Sequence, residues 1–367
     1  MPRTVGGLWG RIVDWENILC AVHRTIRGKR DRRSAREFLA RLDENVADLI
    51  ADLSGGTYRV GPYERFVVHD PKRREIFAPS LRDRIVHHSM LSLCEPGFER
   101  RMIQDTYACR CGKGQHAAVR RAASFAKQYP FFLKMDIRHF FDSIDHRIVG
   151  QQLAKLLRER PLLALFGRIV ESHHTQPGKG LPIGALTSQF LANSYLNPVD
   201  RFVKEHLRMP GYVRYMDDFV VWGDSSHNLN EVLGRITALL DEKLDLRLKP
   251  EPYIQRSEVG MDFLGYRVFP EWIGLSRGSR QRYERKIRAL EYAEQCGLSE
   301  REVQCRLEAL TQFALFARCW HFRRNVLKRC VGEVERSRHG PESGHAGRQL
   351  EQQRRELPLG QPEQERA

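Results

Sequence analysis

The sequence predicts an α+β fold, and three observations carry that reading. An apolar run, Phe131-Phe132-Leu133-Lys134-Met135, ends in Asp136 and reads as a strand with an acid at its tip. Two further runs, Tyr212-Val213-Arg214 and Phe219-Val220-Val221-Trp222, flank Tyr215-Met216-Asp217-Asp218. That stretch reads as a β-hairpin with two adjacent acids at its turn. Helical segments lie between and around these strands in irregular order, unlike the strict alternation of a doubly wound sheet.

From the N-terminus, Trp15 to Ile26 and Ser34 to Leu53 place apolar residues at helical spacing. The basic run between them, Arg27-Gly28-Lys29-Arg30-Asp31-Arg32-Arg33, suits either a solvated turn or a phosphate-contacting loop. Glu64 to His69 and Glu75 to Ala78 read as paired strands joined by Asp70-Pro71-Lys72-Arg73-Arg74, and Leu81 to Leu93 as a helix. Beyond Asp136, residues His146 to Ser172 are helical in pattern. The Gly/Pro-rich stretch Gly180-Leu181-Pro182-Ile183-Gly184-Ala185-Leu186-Thr187-Ser188-Gln189 then leads into a helix running from Thr187 to Leu207. Leu229 to Leu244 is amphipathic, and Met261 to Phe269 reads as a strand or hairpin. Ser276 to Val331 is helical and basic, with Leu310, Phe313, Leu315, Phe316, Trp320 and Phe322 set among its arginines and lysines. Beyond Val334 no aromatic occurs and Gly, Pro, Gln, Glu and Arg dominate, so the tail is expected to be disordered.

A chain of 367 residues is long enough for two or three substructures with a real core, and its formal net charge of +15 points to a polyanionic partner. No apolar run reaches the ~20 residues of a membrane span, and Met1 to Arg11 lacks the apolar core of a signal peptide. The eight cysteines include no CxxC pair; Cys109 and Cys111 form a CxC, which with His116 makes a weak metal-site pattern. Cys20, Cys305 and Cys330 fall on helical patterns and read as small core residues. A reducing cytoplasm fits this usage.

A lone Asp-Asp turn is ordinarily a solvated hairpin tip. Three carboxylates from two strands, Asp136 with Asp217 and Asp218, are instead the donor set that two-metal nucleotidyl transfer needs. Such ions lie roughly 3.5–4 Å apart and, when bound, activate the attacking hydroxyl and stabilise the departing pyrophosphate. Mg²⁺ is the expected pair, with Mn²⁺ a possible substitute, because oxygen donors suit it. Asp136 and Asp217 are the bridging candidates, and Asp218 a partial ligand or positioning group. Asp142 and Asp145 suit the start of the following helix, where acids cap.

The order of acid-tipped strand, Gly/Pro loop into helix, and acidic hairpin resembles motifs A, B and C of the reverse transcriptase palm, with Tyr-Met-Asp-Asp typical of motif C. The resemblance implies a right-hand polymerase: fingers over 1–130, palm over 131–275, a helical basic thumb over 276–333 that grips a duplex, and the tail from 334 to 367. It also implies site roles. Phe141, five residues after Asp136, would exclude a 2′-hydroxyl; Phe140 beside it reads as core. Pro71-Lys72-Arg73-Arg74, with Pro79 and Asp83-Arg84, looks like the fingers signature, so Lys72 and Arg74 would grip the triphosphate of a deoxynucleotide. Arg73 would point away, and Arg82 and Arg84 would anchor the helix or template. Lys249 occupies the place of the motif D lysine, which could protonate pyrophosphate.

Motif B departs from the commoner pattern. Ile183 precedes Gly184 where many relatives have Gln, and Ser188-Gln189 follows where they have Ser-Pro. This resembles the reverse transcriptases of diversity-generating retroelements. So do Asp14-Trp15-Glu16-Asn17, Gly61-Pro62-Tyr63, Tyr107-Ala108-Cys109-Arg110, Gly112-Lys113-Gly114 with His116-Ala117, and Ser188-Gln189-Phe190-Leu191-Ala192-Asn193. The resemblance covers about Asp14 to about Trp320. It implies copying of a template RNA into cDNA with errors at adenines, an RNA/DNA duplex as product, and a small accessory variability protein as partner. The rivals are another bacterial reverse transcriptase (a retron, a defence or abortive-infection enzyme, or an intron-derived one) and a non-catalytic nucleic-acid-binding module on a decayed polymerase fold.

Overall fold

A computed structural model of the chain describes residues 6–69 and 72–337. By internal contacts they form two units, one of the residues up to Ala118 with Phe131–Gln255, the other of Val119–Pro130 with the residues from Arg256 onward.

In the first unit, Asp14 caps helix Trp15–Ile26 by accepting from the backbone N–H groups of Glu16 and Asn17. That helix buries Ile18, Ala21, Val22 and Ile26; Cys20 lies off this face and is exposed, as is Cys305, so neither is the core residue expected. The predicted Ser34–Leu53 helix is two, Arg33–Ala40 and Leu42–Ser54, broken where Arg41 leaves helical geometry (φ −130, ψ 48). Strands β1 (Glu64–Val68) and β2 (Arg74–Ala78) pair antiparallel, Glu64 opposite Ala78. Helix Leu81–Glu99 follows, capped by Ser80 and one and a half turns longer than its pattern suggested.

The central sheet takes β3 (Phe131–Asp136), β4 (Gly211–Tyr215), β5 (Asp218–Gly223) and β6 (Tyr253–Arg256) in the order β4-β5-β3-β6. Inner strand β5 is buried on both faces, which is why Phe219 to Trp222 reads as an unbroken apolar run. Helix Ser226–Leu244 packs on β3 and β5 through Leu229, Val232, Ile236, Leu240 and Leu244. Two long predicted helices are interrupted at prolines. His146–Ser172 divides into His146–Leu156 and Arg160–Glu171, with Pro161 in the first turn of the second. Thr187–Leu207 divides into Leu186–Tyr195, Asn197–Arg201 and a π-turn over Phe202–His206, because Pro198 has no N–H to continue the ladder.

In the second unit, the predicted Met261–Phe269 element is a hairpin of β7 (Met261–Phe263) and β8 (Tyr266–Val268), extended by β9 (Ile273–Leu275) into an antiparallel sheet. Helices Arg277–Gln295, Glu300–Leu315 and Trp320–Ser337 complete it, the last running past Val334; the remainder of the expected disordered tail lies outside the described residues. Among the described residues no helix is long and apolar enough to cross a membrane.

Candidate active site

The three acids meet at one edge of the central sheet. β3 and β5 run antiparallel with Asp136 directly opposite Asp218, and β4 closes onto β5 at Tyr215 opposite Asp218. The turn is therefore Met216-Asp217, with Met216 in the left-handed region at φ 57. Partners facing each other across antiparallel strands hold their Cβ atoms about 5 Å apart, so the Asp136 and Asp218 carboxylates are neighbours by register.

Two lysines meet two of these acids. Lys134 donates to both carboxylate oxygens of Asp218, at 2.8 and 2.9 Å. Lys249 donates to Asp136 Oδ2 at 2.6 Å, and its backbone N–H to the Asp136 carbonyl at 2.8 Å. Burial alone would lower the Lys134 pKa, but the charge and hydrogen bonds of Asp218 raise it. Burial raises the Asp218 pKa, against the opposing pull of Lys134. Asp217 is pushed up to about 6, chiefly by burial and then by the charge of Asp136.

Among the described residues no three His, Cys, Asp or Glu side chains form a ready-made metal cage, so the CxC with His116 is no such site either. The acidic edge nevertheless fits Mg²⁺. Asp136 Oδ1 is buried with no hydrogen-bond partner, leaving an oxygen donor unused. Mg²⁺ keeps waters and substrate phosphates in its shell and needs only one or two carboxylates from the protein.

The other expected site residues distribute as follows. Arg74 opens β2, and Lys72, also exposed, sits on the turn before it; Asp70 and Pro71 lie outside the described residues. Arg73 is 3.7 Å from Glu75, and Arg82 pairs with Asp52. Asp83 is buried and accepts from Tyr58, Ser80 and the Gly61 N–H, a structural role. Phe140 is core, whereas Phe141 is only half-buried, their rings edge to face at 5.6 Å. Asp145 caps helix His146–Leu156 through the Ile148 N–H.

Motif B is tied to the β1–β2 hairpin. The Ile183 carbonyl accepts from the Phe77 N–H at 2.8 Å. Gly184 has φ +119, and a Cβ there would stand 2.8 Å from Ile76 Cγ2 and 3.1 Å from the Phe77 carbonyl oxygen. Only glycine meets both demands. Gln189 is exposed on the first turn of helix Leu186–Tyr195 and accepts from the Cys109 thiol at 3.4 Å.

Sequence reasoning passed over Lys134, although a strand places it on the same face as Asp136, two residues on. It also passed over Asn193, Asp200 and Arg214, buried polar residues behind the acidic hairpin. An arginine inside the apolar run Tyr212 to Tyr215 was the available signal, since a buried charge needs a partner.

The family described as reverse transcriptase (RNA-dependent DNA polymerase) matches residues 70–268, more than half of the chain. Protein YkfC of Escherichia coli (strain K12) is 23% identical over 275 residues, covering 62% of this chain and 72% of that protein. Group II intron-encoded protein LtrA of Lactococcus lactis subsp. cremoris is 22% identical over 170 residues, 44% of this chain and 28% of LtrA. Among solved structures, apo telomerase from Candida tropicalis, truncated from the C-terminal domain, superposes with a TM-score of 0.47 at 10% identity, covering 63% of this chain and 60% of that one.

Proposed function

We propose, since this chain belongs to the reverse transcriptase (RNA-dependent DNA polymerase) family, that it extends a DNA primer along an RNA template, using deoxynucleoside triphosphates. The observation that carries the reading is the register that sets Asp136 against Asp218 with Asp217 at the adjoining turn. Asp136 and Asp217 would hold Mg²⁺, which would activate the attacking hydroxyl and stabilise the departing pyrophosphate, and Asp218, held by Lys134, completes the acidic edge. The 3′-hydroxyl attacks the α-phosphorus and loses its proton to water, the α-phosphorus bond to the bridging oxygen breaks, and pyrophosphate leaves with Lys249 as its proton donor. Lys72 and Arg74 bind the triphosphate, Arg through its fork and Lys as a compact charge. Phe141 lies under the sugar and selects against a 2′-hydroxyl. Ile183 and Gly184 of the loop, with Gln189 on the first turn of the following helix, form the surface against which the base pair is judged.

Motif B supports a finer reading, a mutagenic enzyme of the diversity-generating retroelement type working with a template RNA and a small accessory protein. Ile183 offers the nucleotide no side-chain hydrogen bond where Gln would, and such a bond is worth ~1 kcal/mol or more in discrimination. LtrA's name favours the alternative of an intron-type enzyme.

One experiment addresses both levels. The purified chain is given Mg²⁺, an RNA template, a DNA primer and all four deoxynucleotides, with Asp217→Asn as control, and the cDNA is sequenced. Extension by the wild type alone is expected, with errors concentrated at template adenines and reduced by Ile183→Gln. No RNA-dependent extension refutes the polymerase reading. Extension with errors spread evenly over the four template bases refutes the mutagenic one, and an unchanged error rate in Ile183→Gln removes Ile183 from its cause.

A further inference from the structure

We propose that Arg214 is a positioning residue which, with Asp200 and Asn193, fixes the Met216 carbonyl and thereby the placement of Asp217. The inference rests on the reading of Asp136 and Asp217 as metal-binding groups.

Arg214 lies in β4 and is wholly buried, as is Asp200 of helix Asn197–Arg201. A charge in such a place is tolerated only when paired and fully hydrogen-bonded. Arg214 Nε donates to Asp200 Oδ1 and Nη2 to Asp200 Oδ2, both at 2.6 Å. Those two bonds satisfy the ion pair, yet the guanidinium has three more donors. Nη2 also donates to the Asn193 carbonyl at 3.0 Å, and Nη1 to Asn193 Oδ1 at 2.8 Å and the Met216 carbonyl at 3.1 Å. All five N–H groups of the guanidinium are thus used.

The last of these contacts is the informative one. Met216 carries the left-handed conformation of the acidic turn. Its carbonyl belongs to the same planar peptide as the Asp217 nitrogen, so holding that oxygen orients the plane from which Asp217 departs. The anchor is itself fixed from three sides. Tyr212 donates to Asp200 Oδ1 at 2.7 Å, and Asn193 Nδ2 to the Ala108 carbonyl at 2.8 Å. The Arg214 backbone N–H donates to the Asp105 carbonyl, and the Tyr107 N–H to the Arg214 carbonyl, each at 3.0 Å. The motif B helix, the helix bearing Asp200 and the acidic turn therefore share one guanidinium, and the segment 105–108 is bonded to the Arg214 backbone and the Asn193 side chain. Lysine keeps the charge opposite Asp200 but radiates its donors from a single nitrogen and cannot span these acceptors.

The test uses the full chain and four variants: Arg214→Lys, Asn193→Ala, Asp217→Asn, and Leu49→Ala as a core-destabilised control, Leu49 being buried in helix Leu42–Ser54. Mn²⁺ binding is measured by electron paramagnetic resonance without nucleic acid, alongside melting and the Mg²⁺ midpoint of primer extension. Loss of a residue that orients a metal ligand lowers metal affinity by about tenfold or more. Arg214→Lys and Asn193→Ala are expected to show that loss and a matching rise in Mg²⁺ midpoint, with most of the rate recovered at saturating Mg²⁺. Leu49→Ala is expected to melt earlier with unchanged Mn²⁺ affinity. Asn193→Ala keeps the Arg214–Asp200 pair and reads the positioning role even if Arg214→Lys does not fold. Wild-type Mn²⁺ affinity in Arg214→Lys and Asn193→Ala, with loss in Asp217→Asn, overturns the positioning role alone. Wild-type affinity in Asp217→Asn overturns both that role and the metal-binding reading beneath it.

Discussion

In the metal-free protein, Asp217→Asn removes a carboxylate whose pKa burial and the charge of Asp136 push up from 3.8 to about 6. That is about two pH units at ~1.4 kcal/mol each, so the ionised form costs the fold on the order of 3 kcal/mol. Between about pH 4 and 6 the folded chain binds a proton that the unfolded chain has released. Wild-type stability from this group therefore falls as pH rises through that window and stays low above it. Asparagine is neutral throughout. The variant is expected to gain nothing below about pH 4 and on the order of 2–3 kcal/mol above about pH 6. Calorimetry in chelator across this range measures the gap, and primer extension on the same samples measures the loss of activity. Adding Mg²⁺ is expected to stabilise the wild type and not the variant, since a ligand stabilises only the state that binds it. A variant less stable than wild type at about pH 8, or a gap independent of pH, would refute the reasoning.

Gly184→Ala forces a side chain onto φ +119 and against β2. It is expected to cost ~1–3 kcal/mol in denaturant unfolding and to raise the deoxynucleotide KM, since motif B and the hairpin bearing Lys72 and Arg74 are joined there; unchanged melting and KM would contradict this. Phe141→Ala is expected to raise kcat/KM for ribonucleotides relative to deoxynucleotides by at least about tenfold, and an unaltered ratio would clear Phe141 of sugar selection. Lys249→Gln breaks a half-exposed ion pair with Asp136 and is expected to change stability by about 1 kcal/mol or less. As a proton donor, its loss is expected to lower kcat about a hundredfold at unchanged KM, and a pure KM effect would assign it to binding instead.

What could be read from the sequence is what depends on local periodicity. The acid-tipped strand, the acidic hairpin and the Ser226–Leu244 helix each announce themselves locally, because a short apolar run ending in acids or a 3.6-residue spacing marks what is buried. The breaks at Pro161 and Pro198 were visible too, yet a continuous apolar pattern across them overrode the missing N–H. Arg41 breaks its helix with no proline or glycine to mark the place. Cys20 was misplaced because spacing identifies an apolar stripe but does not say how wide the packed face is. Gly184 was found from its neighbours in the motif, but its physical necessity, the approach of β2, is a tertiary fact. The Arg214–Asp200 pair is hidden for the same reason: its two residues belong to different elements, β4 and helix Asn197–Arg201, and meet only in the folded chain.

The two lysines change how the acidic edge is to be understood. Three carboxylates gathered by strand register repel one another, and burial sharpens the repulsion because low dielectric strengthens every charge interaction. Lys134 answers Asp218 and Lys249 answers Asp136, which leaves Asp217 as the acid without a lysine in contact with it. It is Asp217 whose pKa is carried to about 6. Burial first and then the charge of Asp136 raise it, and the turn carboxylate lies in the same acidic cluster as the unused oxygen of Asp136. A divalent cation is what that remainder calls for. Lys134 is itself buried and donates to both Asp218 oxygens, whereas Lys249 is half-exposed and meets Asp136 through one bond. A half-exposed pair of this kind is worth about 1 kcal/mol or less, so releasing Lys249 from Asp136 would cost less than releasing the buried Lys134 from Asp218. On the proposed reading, the arrangement of cations would make Asp136 and Asp217 the working pair, with Asp218 the post against which they are set.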